Sequence, residues 1–552
     1  MRFRTAAVAL VLMGCYSSGE GKSPPLDRIY FPVGLAVDKT NSRLYVASSD
    51  FDLQFNGGSV QVLDLERIRS LVPRECQNDE QCNQEAGEVC DSAGDAPTFF
   101  CVAKLGDDPC GNLGVQTEAK RLLVPGRCGY VDLLKPVDGG SPLLVGSVGT
   151  GAFATDIQLR YGPYGDNGRL FLPVRGEASL HWIDLESDGS MSCGQTEDSP
   201  KCDKAHRIGT DEDENERNVK MPAEPYGLAI NDEGDAIVVT HQTTGKASLF
   251  HQDISSKEAW EAGPSLEFVQ TNLPTQVLAI ASAPSPQLVR DARVDWLNAD
   301  NSDGLVSDPY PPGFLVAYRN AARIDLLRFY ADRESSPTRP FLQLATSVAI
   351  TANSVGSDTR GIAYDDFERR DCEASCPAKD SADNDKRTSC LADCAKMPIG
   401  VYVASRSPAS LLIGSTVKDT WATQNRDVPK FFDAVPLPTG ASRVYVSKVV
   451  GSDGSLETRV FVVCFDQRRI AIYDPIRRRM EGFVTTGRGP HALAFDYAPA
   501  DANAGTPARA LAYVAHFTDS YVSVIELDQR KFRTYSNIVL NLGPDNAPRA
   551  SK

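Results

Sequence analysis

A seven-bladed β-propeller carrying disulfide-rich insertions, all-β in class, is the fold this 552-residue sequence predicts. Three observations carry the prediction. One strand-forming unit recurs along the chain, cysteines gather in even-numbered clusters between its strands, and the N-terminus reads as an export signal that accounts for oxidised cysteines.

The unit begins with a Pro or turn residue leading a short strand, passes a charged turn, and continues into two further β-rich strands. Its clearest copies are Pro32-Val-Gly-Leu-Ala-Val-Asp38 with Arg43-Leu-Tyr-Val-Ala-Ser48 and Ser59-Val-Gln-Val-Leu-Asp64, and Pro490-His-Ala-Leu-Ala-Phe-Asp496 with Ala510–His516 and Tyr521–Glu526. A third reads Pro225–Asn231, Ala236–His241 and Ala247–Phe250. Weaker copies open at Ala152–Asp156, Pro274–Ala279, Thr359–Asp365 and Ser442–Val446, and each unit is followed by an apolar stretch such as Pro142–Gly146 or Asn537–Asn541 that supplies a fourth strand. Four-stranded units that cannot bury a core alone, repeated seven times, specify a propeller, because radial packing covers both faces of every sheet and leaves short edges. The units resemble the YVTN family of bacterial propellers, with Leu44-Tyr-Val-Ala47, Val401-Tyr-Val-Ala404 and Ala512-Tyr-Val-Ala515 standing where that family carries its namesake tetrapeptide. The resemblance implies the fold and leaves function open, since such propellers host enzymes, binding proteins and scaffolds. It extends distantly to seven-bladed lactonases, without a matching acid and base cluster.

The chain opens Met1-Arg-Phe-Arg4, then an apolar run to Gly14 and Cys15, too short to span a bilayer as a helix. Leu12-Met-Gly-Cys15 resembles the bacterial lipobox, which implies acylation of Cys15 and a membrane held through lipid. Tyr16 after the cysteine implies the outer membrane by resemblance to enterobacterial sorting. The expected organisation is a signal peptide over 1–14, a lipidated tether over 15–25, a propeller over 26–546 and a tail over 547–552. Two insertions interrupt the propeller, a six-cysteine module over 74–130 in the first unit and a helical hairpin over 367–398 in the fifth.

Of 14 cysteines, Cys15 is assigned to lipid and twelve to disulfides. Cys76, Cys82, Cys90, Cys101, Cys110 and Cys128 form one cluster, and Cys193 and Cys202 bracket a polar loop. Cys372, Cys376, Cys390 and Cys394 make two CxxxC pairs, each on one face of a helical turn, so two facing turns form a clasped hairpin. A four-cysteine zinc site is the competing reading, and the oxidising compartment favours bridges. Cys464, inside an apolar run, is left as a free core thiol.

A net charge of −16 argues against nucleic acid. Asp211-Glu-Asp-Glu214 reads as a solvated loop. The catalytic signatures of hydrolases, metalloproteases, nucleotide-binding enzymes and haem proteins are missing. Asn301-Ser-Asp303-Gly304 falls short of a calcium loop, because Ala299 stands where its first carboxylate belongs. No cofactor, metal or catalytic residue is therefore assigned.

Among six histidines, His241 and His516 each end a second strand and His491 follows the proline of a first strand. The other blades carry Ser48, Val174, Ser405 and Cys464 at the second-strand ends, which gives no complete ligand set for a metal. Both junctions are expected around the mouth of the central channel. With Tyr226 and Arg360 at other first-strand starts, these histidines make the candidate binding face. The expected function is a non-enzymatic binding or scaffold protein of the cell envelope, gripping a protein or glycan. The alternative is an envelope hydrolase or redox enzyme with its site at the mouth.

Overall fold

The computed structural model describes residues 21–543 apart from 73–75, 83, 85–87, 93–98, 104–130, 137–139, 163–166, 197, 210–217, 299–307, 332–338, 351–357, 380–382, 424 and 533. Cys15, the tail, Asp211–Glu214 and the Asn301–Gly304 loop lie outside the described residues.

Seven antiparallel sheets follow one another along the chain, six of them four-stranded meanders in which each strand pairs with the next. The inner strands are Pro32–Val37, Gln158–Tyr161, Pro225–Ile230, Val277–Ser282, Thr359–Asp365, Ala441–Val450 and Pro490–Ala498. The sequence expectation of a seven-bladed, all-β propeller with disulfide-rich insertions holds. Two first strands lie further along the chain than expected. In blade 2 the segment Ala152–Asp156 makes only the bridge from Ala154 to Val174, and pairing starts at Gln158. Phe153 takes φ 61° there, and a left-handed residue cannot continue a strand. In blade 4 Gln276, at φ 63°, delays the strand from Pro274 to Val277.

Alternation of apolar residues along the strands builds a core between each pair of neighbouring blades rather than one central core. Leu35, Val46 and Leu63 of blade 1 pack on Ala494, Tyr513 and Val524 of blade 7, so the ring closes through side chains and no strand is exchanged between the first sheet and the last. Blades 3 and 4 share Val238, Leu249, Phe314 and Val316. Buried arginines reinforce several seams. Arg169 of blade 2 reaches Gln252 Oε1 at 2.7 Å in blade 3, and Arg328 of blade 4 reaches Asp427 at 2.6 Å in blade 5.

Among the described residues five α-helices sit between strands: α1 (Leu65–Leu71), α2 (Lys257–Glu261), α3 (Gln287–Asn298), α4 (Phe367–Ala374) and α5 (Asn384–Ala395). The bridges Cys372–Cys394 and Cys376–Cys390 clasp α4 to α5, the hairpin anticipated from the paired CxxxC spacing. In the first insertion Cys76–Cys90 and Cys82–Cys101 staple the hairpin Glu88–Ser92 and Phe99–Ala103, and Cys193–Cys202 closes the loop of blade 2. Cys110 and Cys128 lie outside the described residues. Cys464 is free and buried.

Candidate functional site

The channel mouth is built by a backbone device repeated around the ring. The residue before an inner strand is left-handed in five blades, Phe31 (50°), Glu224 (56°), Gln276 (63°), Gly440 (87°) and Gly489 (69°), and in blade 2 Phe153 (61°) stands in the same way before the bridging Ala154. A register shift follows at the start of the strand, between Pro32 and Gly34, Pro225 and Leu228, Val277 and Ala279, Thr359 and Gly361, Ala441 and Arg443, and Pro490 and Leu493. Such bulges re-aim a side chain. Here they deliver Val33, Tyr226, Leu278, Arg360, Ser442 and His491 to a throat ring, which Thr155 completes in blade 2 without such a shift. Of the sequence-predicted residues, Tyr226, Arg360 and His491 belong to this ring.

The other two do not. His241 and His516 are fully buried, because each pairs with the first residue of its inner strand, Pro225 and Pro490, at a position whose side chain points between blades. Side chains alternate along a strand, so it is the next residue that faces the mouth. Gln242 and Phe517 line it, as do Ser49, Arg175 and Phe465 at the corresponding places in other blades. His241 donates from Nδ1 to Ala223 O at 3.1 Å and accepts at Nε2 from Ser248 Oγ at 2.7 Å. His516 Nε2 donates to Ser523 Oγ at 2.8 Å, and that hydroxyl donates to Asn541 Oδ1 at 2.6 Å. Burial lowers His241 to about 4 and His516 to about 3. His491, whose Nδ1 donates to Val33 O at 2.9 Å, falls to about 3 through burial and the nearby Arg443 charge. All three imidazoles are neutral at physiological pH, and each is tied by at least one hydrogen bond to neighbouring chain.

Sequence reasoning missed the aromatic lining. Phe51, 52% exposed, meets Phe153 edge-on at 5.7 Å and Phe517 at 5.2 Å, and Phe31 backs Phe517 at 5.0 Å. The loop carrying Phe51 is anchored from below. Asp50 accepts from Phe55 N at 3.3 Å, and Tyr30 donates its hydroxyl to Asp52 at 2.7 Å. Burial pushes the Asp50 carboxyl up to about 7. Around the rings stand three guanidiniums, each held by one carboxylate: Arg175 by Glu224 at 3.1 Å, Arg360 by Asp358 at 2.5 Å and Arg406 by Asp466 at 2.7 Å. The concavity has a volume of about 330 Å³. The available signal was the length of the Ser49–Gly58 connection, with its Phe-Asp-Leu-Gln-Phe run, where the corresponding turn of blade 3 needs only Gln242–Gly245.

Gly34 and Gly361 let inner strands approach, since a Cβ would stand 2.7 Å from Ile157 Cγ2 and 2.8 Å from Val444 N. Blade 6 carries Arg443 at the corresponding place. Its guanidinium crosses to blade 2, donating to Asp156 Oδ1 at 3.0 Å and Thr155 O at 2.9 Å. At the far end α4 follows inner strand Thr359–Asp365 and touches the ends of three others. Arg370 meets Asp232 of blade 3 at 3.6 Å, Lys448 of blade 6 lies 4.4 Å over the Phe367 ring, and Phe367 meets Tyr497 of blade 7 at 6.2 Å. The clasped hairpin thus lies across the lower opening, and the channel is a pit entered from the mouth.

No known protein family matches the chain, and no curated protein matches it. Solved structures of similar shape include the periplasmic gluconolactonase of Pseudomonas aeruginosa, at 9% identity and a TM-score of 0.41 over 83% of this chain and 86% of that one. Hydrazine synthase of Kuenenia stuttgartiensis aligns at 11% identity and 0.42 over 93% and 99%. Sqt1 of Saccharomyces cerevisiae aligns at 8% and 0.39 over 92% and 99%. At these identities and scores the likeness assigns no activity.

Proposed function

We propose that the chain is a cell-envelope lipoprotein, held at the outer membrane through acylated Cys15, whose propeller is a non-catalytic module that grips an envelope protein or glycan at the channel mouth. The observation that carries this reading is the mouth itself: exposed Phe51 braced by Phe153 and Phe517, with Tyr226 and three arginines around one concavity. Aromatic faces flanked by guanidiniums supply apolar contact and directional hydrogen bonds together, the combination that dominates binding hot spots. The loop is pinned by Asp50 and Asp52, so little ordering entropy opposes capture. His241 and His516 are buried away from the mouth, which leaves His491 as the one candidate histidine in its lining. The anchor rests on the lipobox-like Leu12–Cys15 and the polar tether after it.

Site-specific photocrosslinking in the native envelope tests the docking face. A probe at position 51 should give a discrete adduct that a probe at exposed Ile476, on a blade's outer turn, does not give. Identical adducts from both positions, or none from position 51, refute docking at the mouth. Cys15→Ser should release the protein from membranes and abolish labelled palmitate uptake. A serine variant that still pellets after a salt wash refutes the anchor.

A further inference from the structure

Beneath the throat, and sharing Tyr226, Leu278, Arg360, Ser442 and His491 with the mouth as its upper rim, the pit walled by the inner strands has a volume of about 330 Å³. Its charged lining is unbalanced. Arg360 and Arg443 each have a carboxylate, Asp358 and Asp156, but Arg160 has none within ion-pair distance among the described residues. Arg160 projects from the short inner strand of blade 2 and donates Nη1 to Leu159 O at 3.2 Å and Nη2 to Ile230 O at 2.9 Å. Its Nε is buried without a hydrogen-bond partner. The nearest acid acting on it, Asp232, is already engaged by Arg290 at 3.5 Å, by Arg370 at 3.6 Å and by Ser285 N at 2.9 Å. Burial without compensation lowers the Arg160 pKa, so the cation sits at a cost that its two carbonyl contacts leave unpaid. In a chain of net charge −16, a positive spot at the floor of a closed-ended pit is a local exception.

We infer that the pit binds a small organic carboxylate, with the acid group on Arg160 and the body of the molecule along the inner strands beneath the throat. A guanidinium offers a carboxylate charge-assisted N–H donors, and the Nη hydrogens of Arg160 not spent on Leu159 O and Ile230 O are there to supply them. The volume lies at the lower end of small-molecule sites, which admits a molecule of a few carbons and excludes a folded segment. Entry is past Phe51 and between Tyr226 and Ser442. The lower opening is covered by α4.

Ligand-observed NMR on the purified full chain, with acetate, malonate and citrate as probes and uncharged malonamide as counterpart, tests this at constant ionic strength. At least one acid should bind saturably and malonamide should not. Arg160→Met should weaken that acid about tenfold or more, the loss expected when a charge-assisted contact is removed, and Arg160→Lys should retain part of it. Ser442→Phe, which fills the throat without altering charge, should abolish binding. The inference is overturned if none of the three acids binds saturably, if malonamide binds equally well, or if binding survives both Arg160→Met and Ser442→Phe. If Arg160→Met does not fold, the discrimination between malonate and malonamide by the unaltered protein still decides it. A purely strand-bridging Arg160 predicts lower stability in the variant and no acid binding in either protein.

Discussion

Replacing His516 by alanine should destabilise the propeller by an amount that depends on pH. The imidazole is fully buried, stacks on Tyr521 at 4.3 Å and donates to Ser523 Oγ at 2.8 Å. Its removal costs about 1 kcal/mol for the hydrogen bond and about 1 kcal/mol for the stacked contact. The cavity adds about 1 kcal/mol more. Ser523 is not orphaned, because its hydroxyl still reaches Asn541 at 2.6 Å, so the total at pH 7.5 is about 3 kcal/mol. A chain of this size has an unfolding entropy near 1 kcal/mol per degree, which turns the loss into a fall of about 3 °C in the thermal transition. The folded His516 titrates at about 3 and stays neutral at pH 5. In the unfolded chain an imidazole titrates near 6.5 and is charged there, so the stability that His516 contributes is complete above about pH 6.5 and lost as pH falls toward its folded value. At pH 5 the unaltered protein has lost about 2 kcal/mol through this residue, a loss the alanine variant cannot suffer. The difference between the two proteins should therefore shrink to about 1 °C at pH 5. Circular dichroism melts of both proteins at the two pH values provide the measurement. A difference that is the same at pH 7.5 and pH 5 refutes the buried neutral imidazole, and a difference near zero at pH 7.5 refutes its fastening role.

Arg293→Met should cost about 3–5 kcal/mol, because it strands Asp235 and Asp308, which the guanidinium now holds at 2.7 and 3.0 Å in a fully buried cluster linking α3 to blade 3; an unchanged urea midpoint would contradict this. Cys464, whose thiol burial pushes up to about 12, should resist alkylation in the native protein and react on denaturation without reductant, whereas the ten bridged cysteines described should need reduction first. Peptide mass analysis reads both results, and native labelling of Cys464 would refute its burial.

Blade number and most strands were legible because apolar residues at alternate positions must face neighbouring sheets, and the pattern repeats from Pro32 to Leu542. The clasp of α4 on α5 was legible too, since a spacing of four places both cysteines of a pair on one helical face. Helix α3 went unread although Pro286 precedes it and Val289, Arg293 and Trp296 are its buried residues. The insertion it occupies interrupts a strand repeat, and its buried arginine disguises the apolar face.

His241 and His516 show where such reading stops. The ends of these two strands were located from the sequence, but alternation sends each successive side chain to the opposite face, so an error of one residue exchanges the mouth for the core. The bulges that aim Tyr226, Arg360 and His491 into the throat have no sequence mark of their own beyond a turn residue before the strand. By itself, then, the sequence determined the blade unit, its sevenfold repetition and the clustering of cysteines, because these depend on local periodicity and spacing. Only the closed ring decided which residues meet: Phe51 with Phe517, α4 beneath the channel, and Arg443 with Asp156 across 287 positions of chain. The physical reason is that closing seven blades around one axis brings inner strands from the whole chain within a side chain's reach, a proximity that no local pattern encodes.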